Sequence, residues 1–201
     1  MIKKYALYFL LSLFSVAVTA DQFSTPTDRV KDSVDKVITI LKDKSLDKEV
    51  QWSRIGLVIN DSFDFRSMSQ SILATNWKQA TPEERQQFVV FFSQYLEDTY
   101  RQKFQRYQQQ SSIITSQQIR KDRAIVETQI LGDGRPILVT YRLKNNDGKW
   151  YVYDVLIRGE SVVTESRELF DAIVKAEGLE GLKSDLENRV KIYKSKYGEL
   201  P

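Results

Sequence analysis

Apolar residues recur at helical spacing in the first half of this chain and alternate along its second half. Thr25-Pro26, followed by Asp28, is an N-cap, an N1 proline and an acid in the first turn. Val30, Val34, Val37, Ile38 and Leu41 then repeat at the period of an amphipathic helix. A second helix is predicted from about Asp47 to Ile59, with Val50, Leu57 and Val58. Phe63, Phe65, Met68, Ile72, Leu73 and Trp77 mark a third. Thr81-Pro82-Glu83-Glu84 opens a long helix predicted to reach about Gln109. After Ser111 the period changes. A short strand is expected around Ile113 to Ser116. Val126, Thr128 and Ile130 form one face of the next strand, and Gly132-Asp133-Gly134 turns it. Ile137, Val139, Tyr141 and Leu143 face one way on the following strand, and Leu138, Thr140 and Arg142 the other. Asn145-Asn146-Asp147-Gly148 is a hairpin turn leading into Trp150 to Ile157. Ser161 to Glu177 is helical again, closed by Gly178, and Gly181 to about Lys194 is a last helix. N-terminal helices, an antiparallel meander and C-terminal helices predict an α+β domain, its helices packed on one side of a curved sheet.

Two elements carry more apolar surface than their places require. On the long helix, Phe88, Val89, Phe91, Phe92, Tyr95, Leu96, Tyr100, Phe104 and Tyr107 cover an arc of about 220°, against roughly 100° for an ordinary surface helix. Along Trp150 to Ile157 both strand faces are apolar, with Asp154 the one polar residue. Such a helix is either enclosed by its own domain or lines a cavity, and such a sheet needs covering on both faces or a ligand on one.

Composition narrows the chemistry. Lys3 and Lys4 precede an apolar run from Tyr5 to Val18, too short for the roughly 20 residues of a membrane span. Val18-Thr19-Ala20 is a small-residue cleavage site before Asp21. Residues 1–20 therefore read as a signal peptide and residues 21–201 as a single exported domain. The whole chain has 30 Lys+Arg against 27 Asp+Glu; losing Lys3 and Lys4 lowers the net charge from +3 to +1. No block of five or six like charges offers a nucleic-acid surface. With 0 Cys and 0 His, disulfides, thiol nucleophiles, Ser-His-Asp triads and nearly all zinc sites are excluded. Gly159-Glu160-Ser161 lacks the trailing glycine of a nucleophile elbow and any histidine to activate the serine. Asp154 is a candidate general base if its pKa is raised by burial, or a hydrogen-bonded structural acid. Asn60-Asp61-Ser62 reads as a turn, and Gln108-Gln109-Gln110 as a solvated helix end.

In order along the chain stand Phe63-Asp64-Phe65 with Met68 and Trp77, then Ala80-Thr81-Pro82-Glu83-Glu84-Arg85, and Tyr100. Gly134-Arg135-Pro136, Trp150-Tyr151-Val152-Tyr153-Asp154-Val155, Gly159 with Ser161, and Gly178-Leu179-Glu180-Gly181-Leu182 follow. This ordered set resembles the MlaC family of periplasmic phospholipid-binding proteins across essentially all of residues 21–201. Arg158-Gly159-Glu160-Ser161 departs from the family's Glu-Gly-Val-Ser, which alters the local surface there. The resemblance implies an NTF2-like α+β fold with an apolar pocket and no catalysis. Phospholipid would be cargo, with no cofactor and no metal. It also implies exchange between an outer-membrane lipoprotein complex and an inner-membrane MCE-domain ABC transporter complex in the Gram-negative periplasm, which keeps the outer membrane asymmetric. The protein is expected to be a monomer. An NTF2-like enzyme using Asp154 and a close-packed adaptor are the alternatives.

The pocket so implied has two expected sources of wall. The sheet would supply Ile137, Val139, Tyr141 and Leu143, flanked by Val126, Ile130 and Trp150 or Val152. The helices would supply Phe65, Met68, Phe92, Leu96, Tyr100 and Phe104, with Val162, Val163 and Phe170 near the mouth.

Overall fold

A computed structural model describes residues 25–104, 111–132 and 134–197. The predicted signal peptide (residues 1–20), the predicted end of the long helix and Gln108 to Gln110 lie outside them. Helix α1 (Pro26–Lys42) starts where its cap predicts, the Asp28 N–H donating to Thr25 Oγ1 at 3.1 Å. Helix α2 (Lys48–Ser62) follows, then α3 (Phe65–Leu73) and the short α4 (Thr75–Gln79), separated by Ala74 at φ 49°. Asn60 to Ser62 form the last turn of α2, not the expected loop turn. Their place there is fixed by tertiary partners. Asp61 accepts from Arg29 Nη1 at 2.8 Å, and the Ser62 hydroxyl meets that of Ser33 at 2.7 Å. Helix α5 (Pro82–Phe104) opens with a reciprocal capping box: Glu84 N–H donates to Thr81 Oγ1 at 3.2 Å, and Thr81 N–H donates to Glu84 Oε2 at 2.6 Å.

The sheet is a five-stranded antiparallel meander in sequence order: β1 (Ser111–Arg120), β2 (Arg123–Leu131), β3 (Ile137–Asn146), β4 (Lys149–Ile157) and β5 (Glu160–Ser161). The expected short strand is thus ten residues long. Its polar Ser, Thr and Gln positions hide it from a hydrophobic pattern, while ladder bonds to β2 hold it. Asp147 and Gly148, at φ 51° and 90°, make the β3–β4 turn in the left-handed conformation a two-residue hairpin requires.

The doubly apolar strand β4 has a structural explanation. The register runs Leu143↔Val152 and then Arg142↔Asp154, so Tyr153 is an extra residue, a bulge. One extra residue inverts the alternation. Trp150 and Val152 face inward before the bulge, and Val155 and Ile157 face inward after it. Each half of the strand buries a different sequence face.

Helix α6 (Val162–Tyr197) is broken at Gly178, at φ 72°, where the predicted helix stop falls. Its start is anchored to β4. The Val163 N–H donates to Asp154 Oδ1 at 3.2 Å, and the Ser161 hydroxyl donates to Asp154 at 2.8 Å while accepting from the Thr164 N–H at 3.1 Å. The α2–α3 junction adds to the edge of β4 that β3 leaves free, the Asp64 N–H donating to the Val152 carbonyl at 2.8 Å.

Candidate functional site

Helices α1 and α2 lie across the inward face of the sheet and do not close onto it. Between them is a cavity of about 250 Å³. A buried water needs only about 10–15 Å³, so the space is of ligand size. Helix α1 lines it with Val30, Val34, Val37, Ile38 and Leu41, and α2 with Trp52, Ile55, Val58 and Ile59. Phe63, Phe65 and Met68 come from the α2–α3 region, and Leu96, Glu97 and Tyr100 from α5. The sheet gives Ile130, Ile137, Val139, Tyr141, Val152, Val155 and Ile157, and α6 gives Val162.

One end is closed and the other open. Beneath the start of α1, Ala124, Val126, Leu143 and Trp150 are packed at no more than 6 % exposure. Toward the end of α1 and the β2–β3 turn, the lining residues Val37, Ile38, Leu41, Ile130 and Ile137 are only half-buried. Accessibility rises in the same direction along both walls, which sets the mouth there. Gln51 Nε2 donates to the Asp43 carbonyl at 2.6 Å and holds the start of α2 at that same end.

Among the described lining residues Glu97 alone carries a formal charge. Its carboxylate lies against the backbone of α2, where a Cβ on Gly56 would stand 3.4 Å from both oxygens. It pairs with Arg101 at 3.3 Å, whose guanidinium lies 5.3 Å from the Trp52 ring centre. Burial raises the Glu97 pKa despite the opposing pull of Arg101. Burial also pushes the phenols of Tyr100 and Tyr141 up to about 12, so both stay neutral donors in the wall. Ser33 and Ser62 turn their hydroxyls to each other and to helix carbonyls, which leaves the adjoining wall effectively apolar.

Ten expected wall residues meet around this space: Phe65, Met68, Leu96, Tyr100, Ile130, Ile137, Val139, Tyr141, Val152 and Val162. Six do not. Phe92, Val163 and Phe170 belong to a close-packed core among α3, α5 and α6. Val126, Leu143 and Trp150 fill the closed end beneath α1. The reason lies in the broad arc of α5, which is two faces side by side. Phe88 and Phe92 point to α6, where Phe170 meets them edge-on at 6.0 and 6.3 Å. Leu96 and Tyr100 point to the cavity. Phe104 ends α5, and its side chain lies outside the described structure. The α1 and α2 walls, Val155 and Ile157 were not anticipated. The stripe on α1 is legible as a buried face, but a stripe facing a hollow has the same spacing as one facing a core. Val155 and Ile157 were hidden by the bulge.

Asp154 is not in this wall. It is 3 % exposed and accepts hydrogen bonds from Ser161, the Val163 N–H and, at 3.1 Å, Arg142 Nη1. Among the described residues no three His, Cys, Asp or Glu gather to hold a metal ion.

An α+β domain with an apolar, one-ended hollow between a helical hairpin and a curved sheet is a binding fold for an elongated apolar ligand. The chain belongs to the MlaC protein family, whose sequence pattern it matches over residues 31–188. It is similar to the intermembrane phospholipid transport system binding protein MlaC of Haemophilus influenzae, with 24% identity over 187 residues, 88% of this chain and 87% of that protein. Its fold is similar to that of a phospholipid-binding protein from Ralstonia solanacearum, solved in complex with a phospholipid. That likeness has a TM-score of 0.75 at 24% identity and covers 82% of this chain and 96% of the other.

Proposed function

We propose that this protein is a non-enzymatic periplasmic carrier of diacyl phospholipid. In this reading it shuttles its cargo between an outer-membrane lipoprotein complex and an inner-membrane MCE-domain transporter complex, as a monomer without a cofactor, and so maintains outer-membrane asymmetry. The observation that carries the reading is the hollow itself, lined mostly by apolar side chains from the sheet and the helices and open at one end. Each methylene removed from water contributes about 0.8 kcal/mol. A lipid with about 30 chain carbons therefore loses on the order of 20 kcal/mol on entering water, so transfer needs apolar walls along both chains. The named functions of the Haemophilus and Ralstonia relatives support the same cargo.

The enzyme alternative is disfavoured because Asp154 lies outside the wall with its carboxylate engaged by three donors. A close-packed adaptor has no use for an empty apolar space. Protein exported by its own signal, purified without detergent and extracted with organic solvent should yield phospholipid in near-stoichiometric amount. Recovery of none sinks the carrier reading.

A further inference from the structure

The turn Asn145-Asn146-Asp147-Gly148 joins β3 to β4, and its sequence carries chemistry of its own. In an aspartyl-glycyl pair the glycine amide nitrogen can attack the carbonyl carbon of the aspartate side chain. The new C–N bond closes a succinimide ring. The hydroxyl of the protonated acid leaves as water with the proton given up by the amide. Water then opens either ring carbonyl, which returns aspartate or gives isoaspartate. The net change is an isomerisation, and no co-reactant is consumed. Glycine favours the attack because no side chain shields its nitrogen.

Asp147 and Gly148 are both exposed, so water reaches them and no packing opposes the change. Among the described residues the Asp147 carboxyl has no hydrogen-bond or ion-pair partner. The nucleophile, by contrast, is restrained. The Gly148 N–H donates to Asn145 Oδ1 at 2.9 Å, which engages the proton that the attack must release. Asn145 is itself held in place: its own N–H donates to the Asp122 carbonyl at 2.8 Å, and it pairs with Trp150 across the ladder. Attack on Asn146 is the competing reaction, but the nitrogen it needs belongs to Asp147 and is shielded by that residue's side chain.

We infer that Asp147 is a site of spontaneous isoaspartate formation, that the Asn145 side chain restrains it, and that the product loosens the closed end of the cavity. Isoaspartate carries its Cβ in the main chain and so lengthens the turn by one carbon. The two-residue turn sets the pairings Asn146↔Lys149 and Asn145↔Trp150. Trp150, 6 % exposed, is part of the packing beneath α1. A longer turn therefore disturbs the residues that close the cavity. Nothing in this depends on what the cavity holds.

The test incubates wild type, Asn145→Ala and Asn145→Asp near neutral pH at physiological temperature and follows isoaspartate by mass spectrometry with electron-transfer fragmentation. Trypsin cuts after Lys144 and Lys149, so the site is read in peptide 145–149, apart from Gly132-Asp133-Gly134. Wild type should form isoaspartate at 147 slowly. Asn145→Ala should form it about fivefold faster, the factor that a hydrogen bond of about 1 kcal/mol makes. Asn145→Asp, whose carboxylate still accepts from the Gly148 N–H, should stay near wild type. Aged Asn145→Ala should unfold at a lower denaturant concentration than the same protein when fresh. If Asn145→Ala does not fold, hydrogen exchange of the Gly148 amide in wild type takes its place, with protection expected. Equal rates in wild type and Asn145→Ala, a fast Asn145→Asp, or no isoaspartate at 147 in any protein overturns the proposal. So does unchanged unfolding of aged Asn145→Ala, or an unprotected Gly148 amide in wild type.

Discussion

On one side of α5, Phe88 and Phe92 meet Phe170, Leu182 and Leu186, of which Phe92 and Leu186 are 0 % exposed. On its other side, Leu96, Glu97 and Tyr100 face Val139, Val152 and the α1–α2 hairpin across open space. Both sides are built from the same kinds of residue. They differ in what completes them: the α6 side is filled by protein, and the sheet side is left for a ligand. Volume removed from the first is lost from the folded molecule's own packing. A change in the second is felt first by what occupies it.

The largest effect should come from the filled side. Phe170→Ala removes a ring packed edge-on against Phe88, Phe92 and, at 5.6 Å, Tyr95. The expected loss is about 3–5 kcal/mol, a large share of a typical stability of about 5–15 kcal/mol. Denaturant unfolding measures it. Lipid per folded molecule should change little, since the ring lies outside the cavity wall.

Val139→Arg and Val126→Arg sharpen the comparison within one sheet face. Val139 lines the hollow, whereas Val126, paired with Tyr141 on the neighbouring strand, is 0 % exposed at the closed end. An arginine at 126 has no exit, and burying it unpaired should cost about 3–5 kcal/mol or abolish folding. At 139 it can extend along the hollow toward water. That variant should stay folded and lose its lipid, as read by thermal unfolding and by extraction on the same sample. Equal behaviour of the two variants would erase the distinction between filled and hollow regions.

A smaller loss is expected for Asp154→Asn, about 1–3 kcal/mol, because the amide satisfies the Ser161 and Val163 donors poorly and Arg142 less well than a carboxylate does. Lipid content per folded molecule should not change. Lost lipid in a fully folded variant would return Asp154 to the functional site.

The architecture was legible because its signals are local. The two N-terminal caps, the helix stop at Gly178 and the turn glycine at 148 each act within a few residues. The cavity was only partly legible, for two physical reasons. A side chain facing a hollow and one facing a core obey the same periodicity, so Phe92 and Leu96, one turn apart on α5, could not be assigned to different regions. The bulge at Tyr153 also shifts the phase of β4, and no hydrophobic pattern marks it. Family resemblance supplied the existence of a pocket; it did not say that α1 and α2 form its outer wall.

The smallest effect separates two acids, one in each kind of place. Asp64 caps α3 and joins Lys144 at 2.6 Å. Burial pushes its pKa up, but the hydrogen bonds from Lys144 and Ser67 outweigh it and hold the carboxyl below its usual value. Its contribution is therefore present above the ordinary carboxylate pKa of about 3.9 and lost as pH falls through the lower folded value. Glu97, in the cavity wall, is shifted the other way, chiefly by burial. Its favourable contribution is complete below about pH 4.3, the ordinary glutamate value. It is lost as pH rises through the raised folded value, because the ionised carboxylate is the form the wall disfavours. Glu97→Gln cannot ionise, so the stability of the variant relative to wild type should rise between about pH 4 and neutrality. Asp64→Asn should lose stability relative to wild type as pH rises above the acid range, and converge with it in strong acid. Chemical denaturation at a series of pH values reads both slopes. Parallel slopes for the two variants would mean that the cavity wall is no drier around a charge than the anchored end of α3, and the contrast between hollow and filled regions would not extend to electrostatics.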